Sequence, residues 1–319
     1  MANLNLLDVA KLTGNDAVVG LIEENIKSAP EAGLFPFRTI RGTSYKTGVR
    51  TGLPTVGFRN ANEGQTPSKS TFAQKVIEAF IFGGQIEIDK AVADADEGGA
   101  ERLKAIEASG VMEASLRAIG SQVWYGVTTD AKGFPGLKAA TTFGGTTING
   151  DALVIDATGS TASTASSVYA VKFGDKNVSL IGGNDSAFTL GEWMVQQITN
   201  PDGKKLTAHV SGLTAWIGMQ VAHENCVRRI ANLTAQSGKT LTDTLLAALI
   251  ATFPVGYRPD AIFMSRRSQS QLQASRTVAL YGTGSTRPNQ PNVAPTPTEY
   301  DGIPLVPTDS IGNTDAIES

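Results

Sequence analysis

Few residues in this chain have the type and spacing that chemistry requires. Gln236-Ser237-Gly238-Lys239-Thr240 has the ending of a phosphate-binding loop. That loop also needs a glycine five residues before Gly238, so that backbone amides can wrap the phosphates, and Leu233 stands there. His223-Glu224-Asn225-Cys226 resembles half of a zinc-protease helix, but Val227 occupies the place of the second histidine. His209, His223 and Cys226 are conceivable zinc ligands, yet no fourth ligand follows from the spacing. In Gly282-Thr283-Gly284-Ser285-Thr286-Arg287 an arginine replaces the third glycine of a dinucleotide loop, and a proline follows. With two histidines in the chain, a Ser-His-Asp or Cys-His arrangement has few ways to form. Glu63, in a polar connection, is the lone acid worth following, against the plainer reading of a solvated carboxylate. Each motif is incomplete, so the sequence predicts no enzyme, no cofactor and no metal.

Composition points elsewhere. Only 18% of the 319 residues are charged, against a usual share of about 25%, and glycine is abundant at 34 residues. Low charge with many small residues suits a surface hidden against copies of itself; a glycine-rich monomeric β-protein is the alternative. The net charge of −3 and the absence of a dense basic stripe argue against a sequence-independent grip on nucleic acid. Cys226 is the sole cysteine, so no intrachain disulfide can form. No apolar run approaches the roughly 18 residues that span a bilayer, and the first residues lack a secretory pattern, so the expectation is assembly in a cytoplasm.

The periodicities define elements. Residues 3 to 29 read as two short helices, the second capped by Asn15 or Asp16, with Val18, Val19, Leu21, Ile22 and Ile26 on its apolar face. Short helices are marginal alone, so this segment needs a surface to lie on. Tyr45, Thr47, Val49 and Thr51 alternate, as do Ile86 and Ile88 with their polar neighbours. The polar stretch 60–68 between these runs predicts a long hairpin, bent where Gly83-Gly84 interrupts its second strand. A two-stranded ribbon is barely stable alone, so a partner must support it. Ala105, Met112, Leu116, Ile119 and Val123 predict a helix over 100–124, about 37 Å long. Gly110 and Gly120 each weaken it by about 1 kcal/mol unless they permit close packing.

A turn-rich connection follows at 130–137, then weak strands and loops over 138–166. Strands at 167–172 and 178–182 flank a hairpin-type turn, Gly174-Asp175-Lys176-Asn177. Further expectations are a strand at 227–233, a helix at 240–253 capped by Thr240-Leu241-Thr242-Asp243, and a buried strand at 261–264. A polar helix near 268–276, a proline-rich loop at 288–297 and a last strand at 303–306 complete the chain.

This order resembles that of the tailed-bacteriophage major capsid proteins, whose fold is shared by encapsulins and herpesvirus shell proteins. Four phrases carry the resemblance: Glu63-Gly64-Gln65 through Thr71-Phe72, Gly133-Phe134-Pro135-Gly136-Leu137, Pro259 through Ser265, and Asp301-Gly302-Ile303-Pro304-Leu305-Val306. The implied fold is α+β: an N-terminal arm (1–36), an extended loop (37–90) and a peripheral domain (91–189) with a spine helix at about 98–126. An axial domain (190–300) and a return strand to the peripheral domain (301–319) complete it.

The implied function is structural, self-assembly into pentamers and hexamers that form an icosahedral head around double-stranded DNA, located in the virion. An encapsulin-type compartment is the alternative within the fold, and a small nucleotide-binding protein or zinc hydrolase the alternative outside it. Partners would be copies of the chain, a separate scaffolding protein, a portal and, optionally, a decoration protein, with no sequence-specific DNA contact and no membrane. Only about 36 residues precede the extended loop, too few for the large cleaved scaffolding segment of some relatives. Inter-subunit contacts are expected on arm and loop, at Leu21, Ile22, Tyr45, Val49, Phe58, Glu63 and Phe72. Lys46, Lys69 and Lys75 lie in or near the loop, and no crosslink is assigned to them.

Overall fold

A computed structural model describes residues 8, 26–138, 153–185, 188–199, 202–281 and 293–318. Leu21, Ile22, most of the expected arm helices and the Gly282–Arg287 segment lie outside the described residues.

In chain order the elements are α1 (Glu31–Leu34), β1 (Phe37–Thr39), β2 (Ser44–Gly52), β3 (Thr71–Glu78), β4 (Phe80–Asp89), α2 (Lys90–Asp94) and α3 (Ala100–Tyr125). Then come β5 (Val154–Asp156), β6 (Ser166–Val171), β7 (Val178–Gly182), β8 (Met194–Thr199), β9 (Lys205–Val221) and β10 (Val227–Leu233). The last are α4 (Asp243–Ala251), β11 (Ala261–Met264), α5 (Arg266–Tyr281), β12 (Glu299–Tyr300) and β13 (Ile303–Pro307).

Two sheets share one large core. In the first, β9 carries β4 antiparallel along one edge, with β8 and β7 dividing the other, and β1 runs parallel beyond β7. Helix α3 lies against β4, and its N-terminal part packs Leu103 with Ile86 and Ile88. The second sheet runs β12-β13-β11-β6-β10-β5. Strand β6 is buried throughout: Val168 and Ala170 face Leu241, Leu246 and Leu249, while Tyr169 and Val171 face Trp124 and Leu180. Burial on both faces is why its sequence shows no polar alternation.

Several expectations need correction. The long strand expected through residues 72–88 breaks at Ala79, and its halves belong to different sheets. Gly83 and Gly84 sit in unbroken register opposite Thr214 and Leu213. A Cβ at Gly83 would lie 2.7 Å from the Leu213 carbonyl oxygen, so this glycine permits close approach and makes no bend. The turn at Gly174–Asn177 does not close a hairpin, because β6 and β7 lie in different sheets and the turn carries the chain from one to the other. Helix α4 is capped by Thr242, whose Oγ1 accepts from Leu245 N at 3.3 Å, and not by Thr240. The last strand, β13, pairs with β11, with Leu305 opposite Ile262, in the sheet that also holds β6. Strand β9, within the stretch assigned to the axial domain, pairs with β4 beside the long helix.

The long helix extends as its periodicity requires, and its two glycines differ. Gly110 has open space around it, whereas a Cβ at Gly120 would meet Ser310 Oγ at 2.6 Å and Glu31 Oε2 at 3.1 Å. Gly99 and Gly126 bound the helix with φ of +82° and +56°.

Candidate assembly surfaces

Strands β2 and β3 pair only with each other, from Ser44 opposite Glu78 to Gly52 opposite Thr71. This register sorts side chains onto two faces. Tyr45, Thr47, Val49, Ala73, Lys75 and Ile77 face inward; Lys46, Arg50, Phe72, Gln74 and Val76 face outward. Phe72 is 67% exposed, with the Arg50 guanidinium 5.5 Å from its ring centroid.

The inner face leans on the body through a small polar latch. The Tyr45 hydroxyl donates to Gln220 Oε1, Arg38 Nη2 donates to the same oxygen at 3.2 Å, and Arg38 lies over the Tyr45 ring. Lys75 Nζ donates to the Val221 carbonyl at 2.5 Å, and burial pulls its pKa below the usual lysine value. Above the latch a groove of about 1010 Å³ separates ribbon from body, with Val49 on one wall and Lys176 and His223 on the other.

Beyond Gly52, residues 53–69 are all exposed. The tip is nevertheless tied internally. Glu63 Oε2 accepts from Asn60 N at 3.0 Å, Arg59 Nη1 donates to Glu63 O at 2.9 Å, and Gln65 Nε2 donates to Gly57 O at 2.8 Å. Asn62 takes φ +66° in this turn, a conformation asparagine tolerates. The ties turn Leu53, Val56 and Phe58 outward, and Phe58 is fully exposed. Glu63 therefore builds the tip, and its carboxylate meets no group suited to acid–base work.

The opposite case is the closing segment, residues 308–318, for which the sequence offered only the resemblance to a return strand. It runs along the second sheet beside α1 and α3 and is bonded along its length. Thr308 and Ser310 hydroxyls donate to the Glu31 carboxylate, which also accepts from Trp124 Nε1 at 2.7 Å. Burial raises the Glu31 pKa, and these donors only partly oppose it. Gly312 N donates to Tyr125 OH at 2.7 Å, and Asp315 pairs with Lys138 at 3.1 Å. Glu318 meets Arg229 Nη2 at 2.5 Å and Lys138 at 3.3 Å. Arg229 is almost wholly buried and stacks on Tyr169, whose hydroxyl pKa burial pushes up to about 12.

The residues of the incomplete motifs have local duties. Lys239 bonds Thr158, and Thr234 N donates to Lys239 O, so this segment closes the turn after β10. Residues 224–226 form a 3-10 turn and not a strand, with His223 Nδ1 accepting from Asn225 N and Nε2 facing Tyr257 OH at 2.8 Å. His209 lies within β9, opposite Ile88, tens of ångströms from His223 at about 3.3 Å per residue. Among the described residues, no three or more His, Cys, Asp and Glu side chains cluster to hold a metal, and no helix is long and apolar enough to cross a membrane.

Comparison with known structures places this architecture. A chain from the near-atomic structure of bacteriophage Epsilon15 superposes with a TM-score of 0.69 at 18% identity, over 99% of this chain and 97% of that one. The bacteriophage JBD30 capsid aligns at 12% identity over 97% and 99%, with a TM-score of 0.48. The SrpI encapsulin of Synechococcus elongatus PCC 7942 aligns at 8% over 74% and 98%, with a TM-score of 0.45. No curated protein sequence matches. The fold is thus the mixed helix-and-sheet fold of phage capsids. The family model described as major capsid protein GP7 matches residues 37–317, which includes ribbon, long helix, both sheets and nearly all of the closing segment, and the chain belongs to that family.

Proposed function

We propose that this major capsid protein closes into pentamers and hexamers that build an icosahedral head around double-stranded DNA, and that the ribbon is its principal contact with neighbouring copies. One observation supports the ribbon's role most directly: residues 53–69 display Leu53, Val56 and Phe58, which none of the described residues covers. Burying a phenylalanine contributes about 1.5–3 kcal/mol, and a second copy can supply that burial. The contact set on this reading is Phe58 and Phe72 outward, with Glu63 holding the tip and Tyr45 and Val49 facing the groove. Leu21 and Ile22 of the arm remain candidates for a second contact in trans.

The domains follow the sheets on this reading. The β9-centred sheet with α3 is the peripheral domain, and the six-stranded sheet with α4 and α5 is the axial domain. A separate scaffolding protein and a portal take part in assembly in the host cytoplasm, and a decoration protein is an optional addition.

The test replaces residues 53–70 by Asn-Gly, which closes the ribbon in a two-residue turn. Negative-stain microscopy and sedimentation should find a folded protomer that no longer yields rings or shells. A tipless chain that assembles like the parent overturns the ribbon's role.

A further inference from the structure

The tip needs a receptor, and the same chain carries a fitting one. Between the start of β4 and the middle of α3 lies a cleft of about 380 Å³, with Phe80, Ile81, Phe82, Ala118, Ile119 and Phe134 on its walls. Its floor is fixed, because the buried Gln122 amide donates to Phe134 O at 2.7 Å and Asp130 O at 3.2 Å. Its mouth is open, with Ile81 68% exposed at the start of the paired strand β4. An apolar cavity of about 150 Å³ already holds a benzene-sized ring, so this cleft has room for a phenylalanine ring and a neighbouring aliphatic side chain.

We propose that the cleft receives Phe58 and Val56 from the ribbon tip of a second copy, an inference that rests on the ribbon's contact role. Two observations select that occupant. The first is reach. The cleft mouth begins at Phe80, just past the ribbon's base, and β3 alone separates base from tip by about 26 Å at about 3.3 Å per residue. The tip therefore misses its own cleft and meets another copy's. The second is charge. The tip flanks Phe58 with Arg59 and carries Glu63 four residues on, while the cleft rim carries exposed Asp130 and Lys132. One base and one acid on each side pair across the contact. The ties within the tip hold its apolar residues outward before docking, which lowers the ordering cost.

Tip on one copy and cleft on the next make a head-to-tail contact, the kind that closes into a ring when the rotation allows. A single knob thus sets the order of subunits around a capsomer.

The experiment uses three full-length variants: Phe58→Asp on the tip, Ala118→Trp to fill the cleft from an exposed helix position, and a mixture of Phe58→Cys chains with Ala118→Cys chains. Circular dichroism first establishes that each is folded. Phe58→Asp and Ala118→Trp should each lower the yield of rings and shells by about tenfold or more, the scale of a buried aromatic anchor. Under mild oxidation the assembled cysteine mixture should give a two-chain band that requires both cysteines, since Cys226 is buried and should not react. If Phe58→Asp blocks assembly while Ala118→Trp assembles normally and the 58–118 band is absent, the cleft is overturned and the ribbon's role stands. If both variants assemble like the parent, both readings fall.

Discussion

The ribbon and the closing segment are both excursions from the two sheets, and they are held in opposite ways. The ribbon leaves the body on a latch of a few bonds, Tyr45 and Arg38 to Gln220 and Lys75 to Val221, then runs free with its apolar tip in solvent. The closing segment is bonded at nearly every step, and it collects buried charge along the way: Glu31 at one end and Arg229 at the other. One element leaves its apolar surface exposed. The other spends all its polar groups within the chain. On the proposed reading of the ribbon, substitutions in the two regions should change different measurements, assembly for one and stability for the other.

The largest effect should come from removing the closing segment. Truncation after Pro307 leaves Arg229 buried without its carboxylate, a loss of about 3–5 kcal/mol for a broken buried pair. It also removes the Glu31 donors and the Gly312 bond to Tyr125. Buried groups left unsatisfied cost about 1–3 kcal/mol each, so the sum approaches the whole stability of a domain at about 5–15 kcal/mol. Denaturant titration should find no cooperative transition in the truncated chain, whereas the tipless ribbon variant should unfold at the parent's midpoint. A truncated chain that still unfolds cooperatively near that midpoint would erase the contrast.

A smaller effect isolates one bond. Arg229→Met keeps the length and apolar contact of the side chain over Tyr169 but removes the charge. Glu318 still reaches Lys138 and some solvent, so the loss should be about 2 kcal/mol, below the full cost of a wholly buried orphan. The double variant Arg229→Met with Glu318→Leu should recover much of it in urea titrations. On the ribbon, Val76→Ser should stay within about 0.5 kcal/mol of the parent, as for an ordinary surface position. A Val76 variant as damaging as Arg229→Met would show that the ribbon shares the protomer's cooperative core.

What the sequence made legible follows the same division. Local patterns were readable: the alternation Tyr45-Thr47-Val49 in β2, the apolar stripe of α3, the bounds of β10 and the run Ala261–Met264. The unsupported ribbon was readable too, because its alternation had no third strand beside it. Features set by distant contacts were not. The break at Ala79 carries no glycine or proline, and of the Gly83-Gly84 pair that drew attention, Gly83 serves an approach to Leu213, 130 residues away. Strand β9 hid its length behind glycines at 212 and 218 and a run of small residues. At Gly218 a Cβ would lie 2.3 Å from the Glu78 carbonyl oxygen, a reason that exists only in the fold. Nothing near Glu31 or Arg229 in sequence announces the segment some 90 to 280 residues on that buries them.

The finest test sets the two ends of the closing segment against each other by pH. Glu31 has its folded pKa raised by burial, so the folded state holds this proton more tightly than the unfolded chain. Its contribution is then best in acid, and stability is lost as pH rises from the ordinary glutamate value of about 4.3 through the raised folded value. Burial would raise Glu318 as well, but Arg229 and Lys138 hold its pKa below the usual range. Its contribution is present above that ordinary value and is lost as pH falls through the depressed one. Melting curves between pH 3.5 and 7, chosen to bracket the value of about 4.3, should separate the two. Glu31→Gln should gain on the parent as pH rises, and Glu318→Gln should lose on it. Each glutamine keeps the shape and one accepting oxygen but cannot titrate, so opposite signs of the pH dependence report the two carboxyl groups' charge. If both variants shift the melting temperature in the same direction with pH, the closing segment is not anchored by opposite electrostatics at its two ends. Its hold would then come from hydrogen bonds that ignore protonation.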